Sequence, residues 1–382
     1  MLRSTIAPIG VLLATFGSAA PDAYAWSLSR ATYRPIEQRI VQPQRGRARP
    51  SLRSSSARSI SSSSFSSSSS SVQSGRDPDG DVSQRGRIVV LGTTSPVLGA
   101  LKIFSNAEPL IATRFTIVLS SAVTSIDHLV IYDHDARLIG AARLDASVSG
   151  GKTYVVRLRT SDLQIPRRED YSFYVRAKLK TKDQGGVSGE TVQIASATVI
   201  GDGAWSNRSY EQTATGTFSA HETARSAITA VANVGSFEEG IIGGSDREIG
   251  KFRFAGMRGD GGADARLTEL TFTVSQVGGV TLSNAQIVAD GGSDRSDCTL
   301  SSSTITCALS AAFGSLTSGP RVLTLLADVT VPASASRASL QVSLNEAGNP
   351  TTPGAITWTD GSETFTWVGL ETPVARGTYY SY

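Results

Sequence analysis

The chain is poor in the side chains from which most enzymes and metal proteins are made. Its 382 residues include 2 Cys, 2 Met and 3 His, and charged residues make up only 18%. His128, His134 and His221 form no pair at i, i+4, and no Cys/His cluster exists, so a zinc site has almost nothing to be built from. Serine is plentiful, yet no G-x-S-x-G elbow stands between a strand and a helix, and no histidine carries the signal of a catalytic triad. Paired carboxylates for glycoside hydrolysis meet only in space and leave no mark in a sequence. No apolar run reaches the roughly 20 residues that cross a bilayer, so no transmembrane span is expected. These scarcities point away from an enzyme and away from a cofactor.

What is present is arranged in blocks. Arg3, the almost wholly apolar stretch from Ile6 to Phe16, and the small residues Ala23 and Ala25 around Tyr24 read as a secretory signal peptide over residues 1–25, cut after Ala25. An exported chain, secreted or held at the cell surface, follows. Residues 26–87 are Ser, Arg and Pro with hardly an aliphatic side chain, and are expected to form a disordered linker. This linker holds eleven Arg against Glu37, Asp77, Asp79 and Asp81, a net of +7 in a chain of only +3 overall. A flexible cationic arm suits an anionic envelope surface, and a merely solvated linker is the alternative. The arm lacks the interleaved aromatics that stack on bases, which argues against nucleic acid.

Beyond Arg87 apolar and polar residues alternate with period two, the mark of half-buried strands. Tyr171, Phe173, Val175, Ala177 and Leu179 fall on one face, with Ser172, Tyr174, Arg176, Lys178 and Lys180 on the other. The scheme recurs further along. Leu101 and Ile103 match Phe252 and Phe254, Phe115 matches Phe272, Tyr154 matches Ile305, Tyr171 matches Leu323 and Val192 matches Leu340, at offsets of 148 to 157. A near-constant offset predicts two copies of one domain. The expected architecture is all-β, two tandem immunoglobulin-like β-sandwiches over 88–218 and 240–375. Between them, Ser219–Glu239 carries either the first strand of the second domain or a short helix. Both copies close on a Gly/Asp turn and a tryptophan, Gly201-Asp202-Gly203-Ala204-Trp205 and Asp360-Gly361 running to Trp367.

The blocks Ile165-Pro166-Arg167-Arg168-Glu169-Asp170-Tyr171-Ser172-Phe173-Tyr174-Val175 and Thr317-Ser318-Gly319-Pro320-Arg321-Val322-Leu323-Thr324-Leu325, each a polar turn feeding a long strand, resemble those of tandem Ig-like domains in secreted bacterial surface proteins. The resemblance implies fold and location and transfers no functional residue.

Four local features remain. If Ser302-Ser303 is a two-residue turn, Cys298 faces Cys307 at a non-hydrogen-bonded position where strands approach closely, which predicts a cross-strand disulfide in an exported chain. Asp77, Asp79 and Asp81 alternate around a glycine as calcium loops do, but without the EF-hand glycine and glutamate positions; a solvated turn is the other reading. Asn207-Arg208-Ser209 fits a glycosylation sequon. Trp205, Trp358 and Trp367, with Tyr379, Tyr380 and Tyr382, either form a stacking platform for sugars or peptides or fill the core. The scarcity of catalytic chemistry and the duplicated sandwich predict a surface protein with a structural or adhesive role toward an envelope polymer, glycan or protein, with self-association through edge strands also open. The alternative is a carbohydrate-binding module or non-catalytic subunit of a polysaccharide-active system.

Overall fold

The computed structural model describes residues 85–381, apart from 160–162, 237–239, 292–293, 314, 317 and 336. The signal peptide, most of the Ser/Arg linker, and Asp77, Asp79 and Asp81 lie outside the described residues. Where the chain is described it is built from strands. β1 (Ile88–Val90) leads into β2 (Gly99–Phe104), β3 (Leu110–Leu119), β4 (Ile126–Asp133), β5 (Leu138–Leu144) and β6 (Thr153–Arg157). Next come β7 (Gln164–Ile165), β8 (Asp170–Leu179), β9 (Thr191–Val192), β10 (Ile194–Gly203), β11 (Ser209–Thr213) and β12 (Thr215–Phe218). β13 (His221–Ala224) and β14 (Ala227–Asn233) occupy the stretch that the sequence left open between strand and helix, and both are strands. Ile228, Thr229 and Val231 suit a strand, and the edge of the following strand is there to pair with. The second half holds β15 (Gly244–Met257), β16 (Arg266–Val277), β17 (Thr281–Ala289), β18 (Arg295–Leu300), β19 (Thr304–Ala308), β20 (Arg321–Thr330) and β21 (Ser339–Ser343). It ends with β22 (Ile356–Thr359), β23 (Thr364–Phe365) and β24 (Tyr379–Ser381).

The hydrogen-bonded order in the first half is β11-β10-β3-β6-β5-β4-β8-β2-β12, and in the second β14-β15-β20-β17-β18-β19-β16-β21-β24. Reversing one order superimposes it on the other: β2, β3, β4, β5, β6, β8 and β10 take the places of β15, β16, β17, β18, β19, β20 and β21. Each half is one sheet curled into two packed layers. β5 and β18 are the corner strands, bonded to β4 and β6 and to β17 and β19 respectively. The positions matched by offset fall on equivalent strands, except Val192, which lies in β9 just before β10.

Two hydrophobic cores result. Phe115, Leu101, Ile117, Ile131 and Phe173 meet in the first, and Phe252, Phe272, Ile287, Ile305 and Leu325 in the second. Burying each such side chain contributes about 1.5–3 kcal/mol, which is what alternation along every strand secures. Ala224, Ile228 and Tyr380 also pack into the second core. One position on a face expected to be wet is covered: Tyr174 is buried, in register with Tyr132 on one side and Ala100 on the other.

The second copy carries a covalent staple. Ser301 N–H donates to the Thr304 carbonyl (2.8 Å) across Ser302-Ser303, and Cys298 lies opposite Cys307 with Cα atoms 4.3 Å apart and their sulfurs joined. The bond links corner strand β18 to β19, and Cys307 is wholly buried. Replacing both cysteines by alanine should lower stability by about 2–3 kcal/mol, since the bridge closes a short loop. Urea unfolding of the oxidised protein and the double variant measures it; equal midpoints would show that the hairpin holds without the bond.

Candidate functional site

Two regions hold polar chemistry that the cores do not explain. The first is the joint between the sandwiches. β13 pairs in parallel with β1 and antiparallel with β9, making a three-stranded ribbon between the two cores. In β1 Val89 belongs to the first core and Ile88 packs on the second, while Ala224 of β13 lies in the second. Thr223 is fully buried; its hydroxyl donates to the Val187 carbonyl (2.7 Å) and accepts from Glu190 N–H (2.9 Å). Gly259 has no room for a Cβ, which would stand 1.8 Å from the Arg225 carbonyl oxygen and 2.5 Å from Val90.

Asp360 sits at the centre of this joint and is 1% exposed. Its Oδ2 accepts from the Ser188 hydroxyl (2.6 Å) and from Arg225 N–H (2.7 Å). Its Oδ1 accepts from the backbone N–H of Ser362 and Glu363 (both 2.9 Å) and from the Ser362 hydroxyl (2.8 Å). One oxygen thus serves its own turn and the other reaches the first sandwich and the connecting strand. Burial pushes this carboxyl up, but the donors, Ser188 first, outweigh it, and the net shift is downward. Glu190 is held the same way by the N–H and hydroxyl groups of Thr124 and Ser125. Its shift is also downward, against burial. With every oxygen engaged by chain donors, these carboxylates hold the loops together.

Trp358 lies inside the second core, and Trp367 is buried beside it. Trp358 stacks on Phe365 (4.5 Å between ring centres) and donates its indole N–H to the Trp367 carbonyl (2.8 Å). The Trp367 indole N–H reaches Glu222 of β13 (2.5 Å). The closing motifs of the two copies are therefore not equivalent: Asp360 lies in the turn of a β22–β23 hairpin paired with β16 and Trp367 just beyond it, whereas Asp202 lies in β10 and Trp205 just past its end. Tyr380 is buried and Tyr379 exposed.

Trp205 is the second region, and at 69% it is the most exposed of the large apolar side chains described. Its turn is tightly built. Glu108, 6% exposed and set in the β2–β3 loop, accepts from the backbone N–H of Trp205 (2.7 Å) and Ser206 (2.9 Å), from the Ser206 hydroxyl (2.5 Å) and from the Tyr210 hydroxyl (2.9 Å). These bonds, led by the Ser206 hydroxyl, hold its carboxyl down at about 2. Ala204 N–H donates to the Pro109 carbonyl (2.9 Å), and Asn207, the sequon residue, adopts φ +54°. A Cβ at Gly203 would lie 2.3 Å from the Glu108 carboxyl, so a side chain there would push the brace aside. The Arg167 guanidinium stands 5.5 Å from the Trp205 ring centre. Neither Glu108 nor Arg167 stood out in the sequence as a partner of Trp205, because they come from separate loops.

Among the described residues no three His, Cys, Asp or Glu side chains are grouped to hold a metal ion. Asp133 caps the β4–β5 turn through the N–H of Asp135 and Arg137, and His134 packs edge-on against Tyr171. Among the described residues no helix is long and apolar enough to cross a membrane.

No protein-family model matches the chain, and no curated protein matches it in sequence. Solved structures similar to it include the C-terminal domain of the Streptococcus agalactiae AgI/II polypeptide BspA, at 12% identity over 75% of this chain and 96% of that one, with a TM-score of 0.21. The C-terminal domain of the Streptococcus pyogenes antigen I/II-family protein AspA matches at 10% identity over 78% and 94%, with a TM-score of 0.23. The full-length RrgB pilus protein of Streptococcus pneumoniae matches at 10% identity over 64% and 43%, with a TM-score of 0.21. At such scores the fold assignment rests on the strand pairing above, not on these likenesses.

The joint should respond to acid through His221. Its ring is buried, its Nδ1 accepts Arg87 N–H (3.2 Å), and burial, then the Arg87 charge, lower its pKa to about 4 from 6.5. Between those values the unfolded chain binds a proton that the folded chain refuses, so stability falls as pH drops from 6.5 to 4, by about 3 kcal/mol in all. Glu222, raised chiefly by burial, acts with the opposite sign and trims the slope. Denaturant titrations at several pH values should show this slope in the wild type and its loss in His221→Gln; an unchanged slope would clear the histidine.

Proposed function

We propose that this chain is an exported, non-catalytic protein of the bacterial envelope or cell surface. Its two β-sandwiches, divided near residues 224–227, act as a stiff spacer that displays a contact surface. The observation that carries this reading is the joint: a buried carboxylate bonded to both sandwiches and to the strand between them, with β1 lending Val89 to one core and Ile88 to the other. A pair of sandwiches joined this way sets a fixed distance between two ends, which is useful for reach and display. The signal-peptide pattern and the low-charge, Ser/Thr-rich composition support export. The cationic segment 26–87 serves as tether or electrostatic contact with anionic envelope polymers.

A second reading, a carbohydrate-binding module, is favoured by one observation, the exposed Trp205 on its braced turn, and is compatible with the first.

The test is retention on purified envelopes. The mature chain, beginning at Trp26, should sediment with them at low salt and release as salt rises, and a chain beginning at Arg87 should be retained less. Equal retention of both removes the arm from the account, and retention of neither removes the surface role.

A further inference from the structure

A lone exposed tryptophan is ordinary on a loose loop, but the Trp205 turn is braced. Five hydrogen bonds tie residues 204–210 to Glu108 and Pro109, and a side chain at Gly203 would meet the Glu108 carboxyl. A brace of this kind fixes the backbone that carries the indole, which lowers the ordering cost of anything that stacks on the ring. The turn itself is polar: Ser206, Asn207, Arg208 and Ser209 follow the tryptophan and are exposed. Membrane insertion calls for a cluster of aliphatic side chains, and the turn supplies none. A single flat exposed ring beside a guanidinium matches the C–H face and hydroxyl edge of a sugar.

Charge narrows the class. Arg167 lies over the ring; its neighbour Arg168 is exposed, at φ +60°, with its N–H on the Ser105 carbonyl (2.8 Å); Arg208 is exposed in the Trp205 turn. Of the nearby acids, Glu108 is spent on bracing the turn, Asp170 is 3.9 Å from Lys102, Glu169 is exposed beside Arg168, and Asp202 is half-buried in β10. We propose that the end of the first sandwich formed by the 105–109, 166–169 and 204–208 loops binds a carboxylated polysaccharide. A uronic acid ring stacks on Trp205 and its carboxylate meets the Arg167 guanidinium, the planar group suited to bidentate pairing. This deepens the reading of the chain as a contact-making surface protein and rests on it.

The experiment uses the mature chain in affinity electrophoresis and tryptophan-fluorescence titration against polygalacturonate, with cellohexaose and phosphatidylglycerol vesicles as comparison probes. Polygalacturonate should retard the protein and quench its fluorescence in a salt-sensitive way. Trp205→Ala and Arg167→Ala should each weaken binding by about tenfold or more, while Trp205→Phe keeps most of it. Circular dichroism of each variant separates lost binding from lost fold. Binding of cellohexaose as strong as that of polygalacturonate, binding of vesicles alone, or Trp205→Ala behaving as wild type would each overturn the site. Retention on envelopes that survives Trp205→Ala leaves the surface role standing and removes this site; polyuronate binding without envelope retention does the reverse.

Discussion

A charged group cannot stay inside a protein unless its oxygens find donors, and Asp360 finds them on three separate stretches of chain. Its own turn supplies two backbone N–H groups and a hydroxyl, the first sandwich supplies Ser188, and the connecting strand supplies Arg225 N–H. None of these stretches can move off without exposing or stranding the carboxylate. The ribbon β9-β13-β1 is fixed by the same requirement, since Thr223 and Glu190 close a second buried set of bonds directly beside it. A partner removed from such a network costs more than the bond it made, so the joint is all or nothing.

The two sandwiches that meet there are variations on one plan. In the first, Leu101 of β2 lies opposite Phe173 of β8; in the second, Phe252 of β15 lies opposite Leu323 of β20. The aromatic has changed strands while its partner across the core has kept its place: Phe115 meets Phe173 at 5.0 Å, and Phe272 meets Phe252 at 5.4 Å. The exchange conserves volume, which packed cores tolerate best. The corner strands diverge more. β18 is bound to β19 by the Cys298–Cys307 bridge, whereas β5 has Gly140, where a Cβ would lie 2.9 Å from Val156.

Much of this was legible in the sequence because it is local or periodic. Alternation from Tyr171 to Leu179 placed Phe173, Val175, Ala177 and Leu179 inward, and the nine-residue spacing of the cysteines followed from strand register. Tyr174 broke the alternation because its neighbours within the sheet, not its own strand's pattern, decide its exposure. The joint was illegible for a different reason: Ser188 and Arg225 lie 172 and 135 positions from Asp360, and nothing in a strand pattern announces such a meeting. The two closing motifs show the limit most clearly. Trp205 and Trp367 follow similar Gly/Asp turns, yet one stands in water past a strand end and the other is buried against Glu222 of β13.

The central claim is that the two copies are held in one arrangement by the Asp360 joint, and the distance between them tests it most directly. Nitroxides carried on non-cysteine chemistry at the exposed positions Leu138 and Val277, one in each sandwich, report that distance by pulsed electron resonance. The wild type should give a single narrow distribution that broadens in Asp360→Ala. A broad distribution in the wild type, or the same narrow one in both proteins, would contradict it.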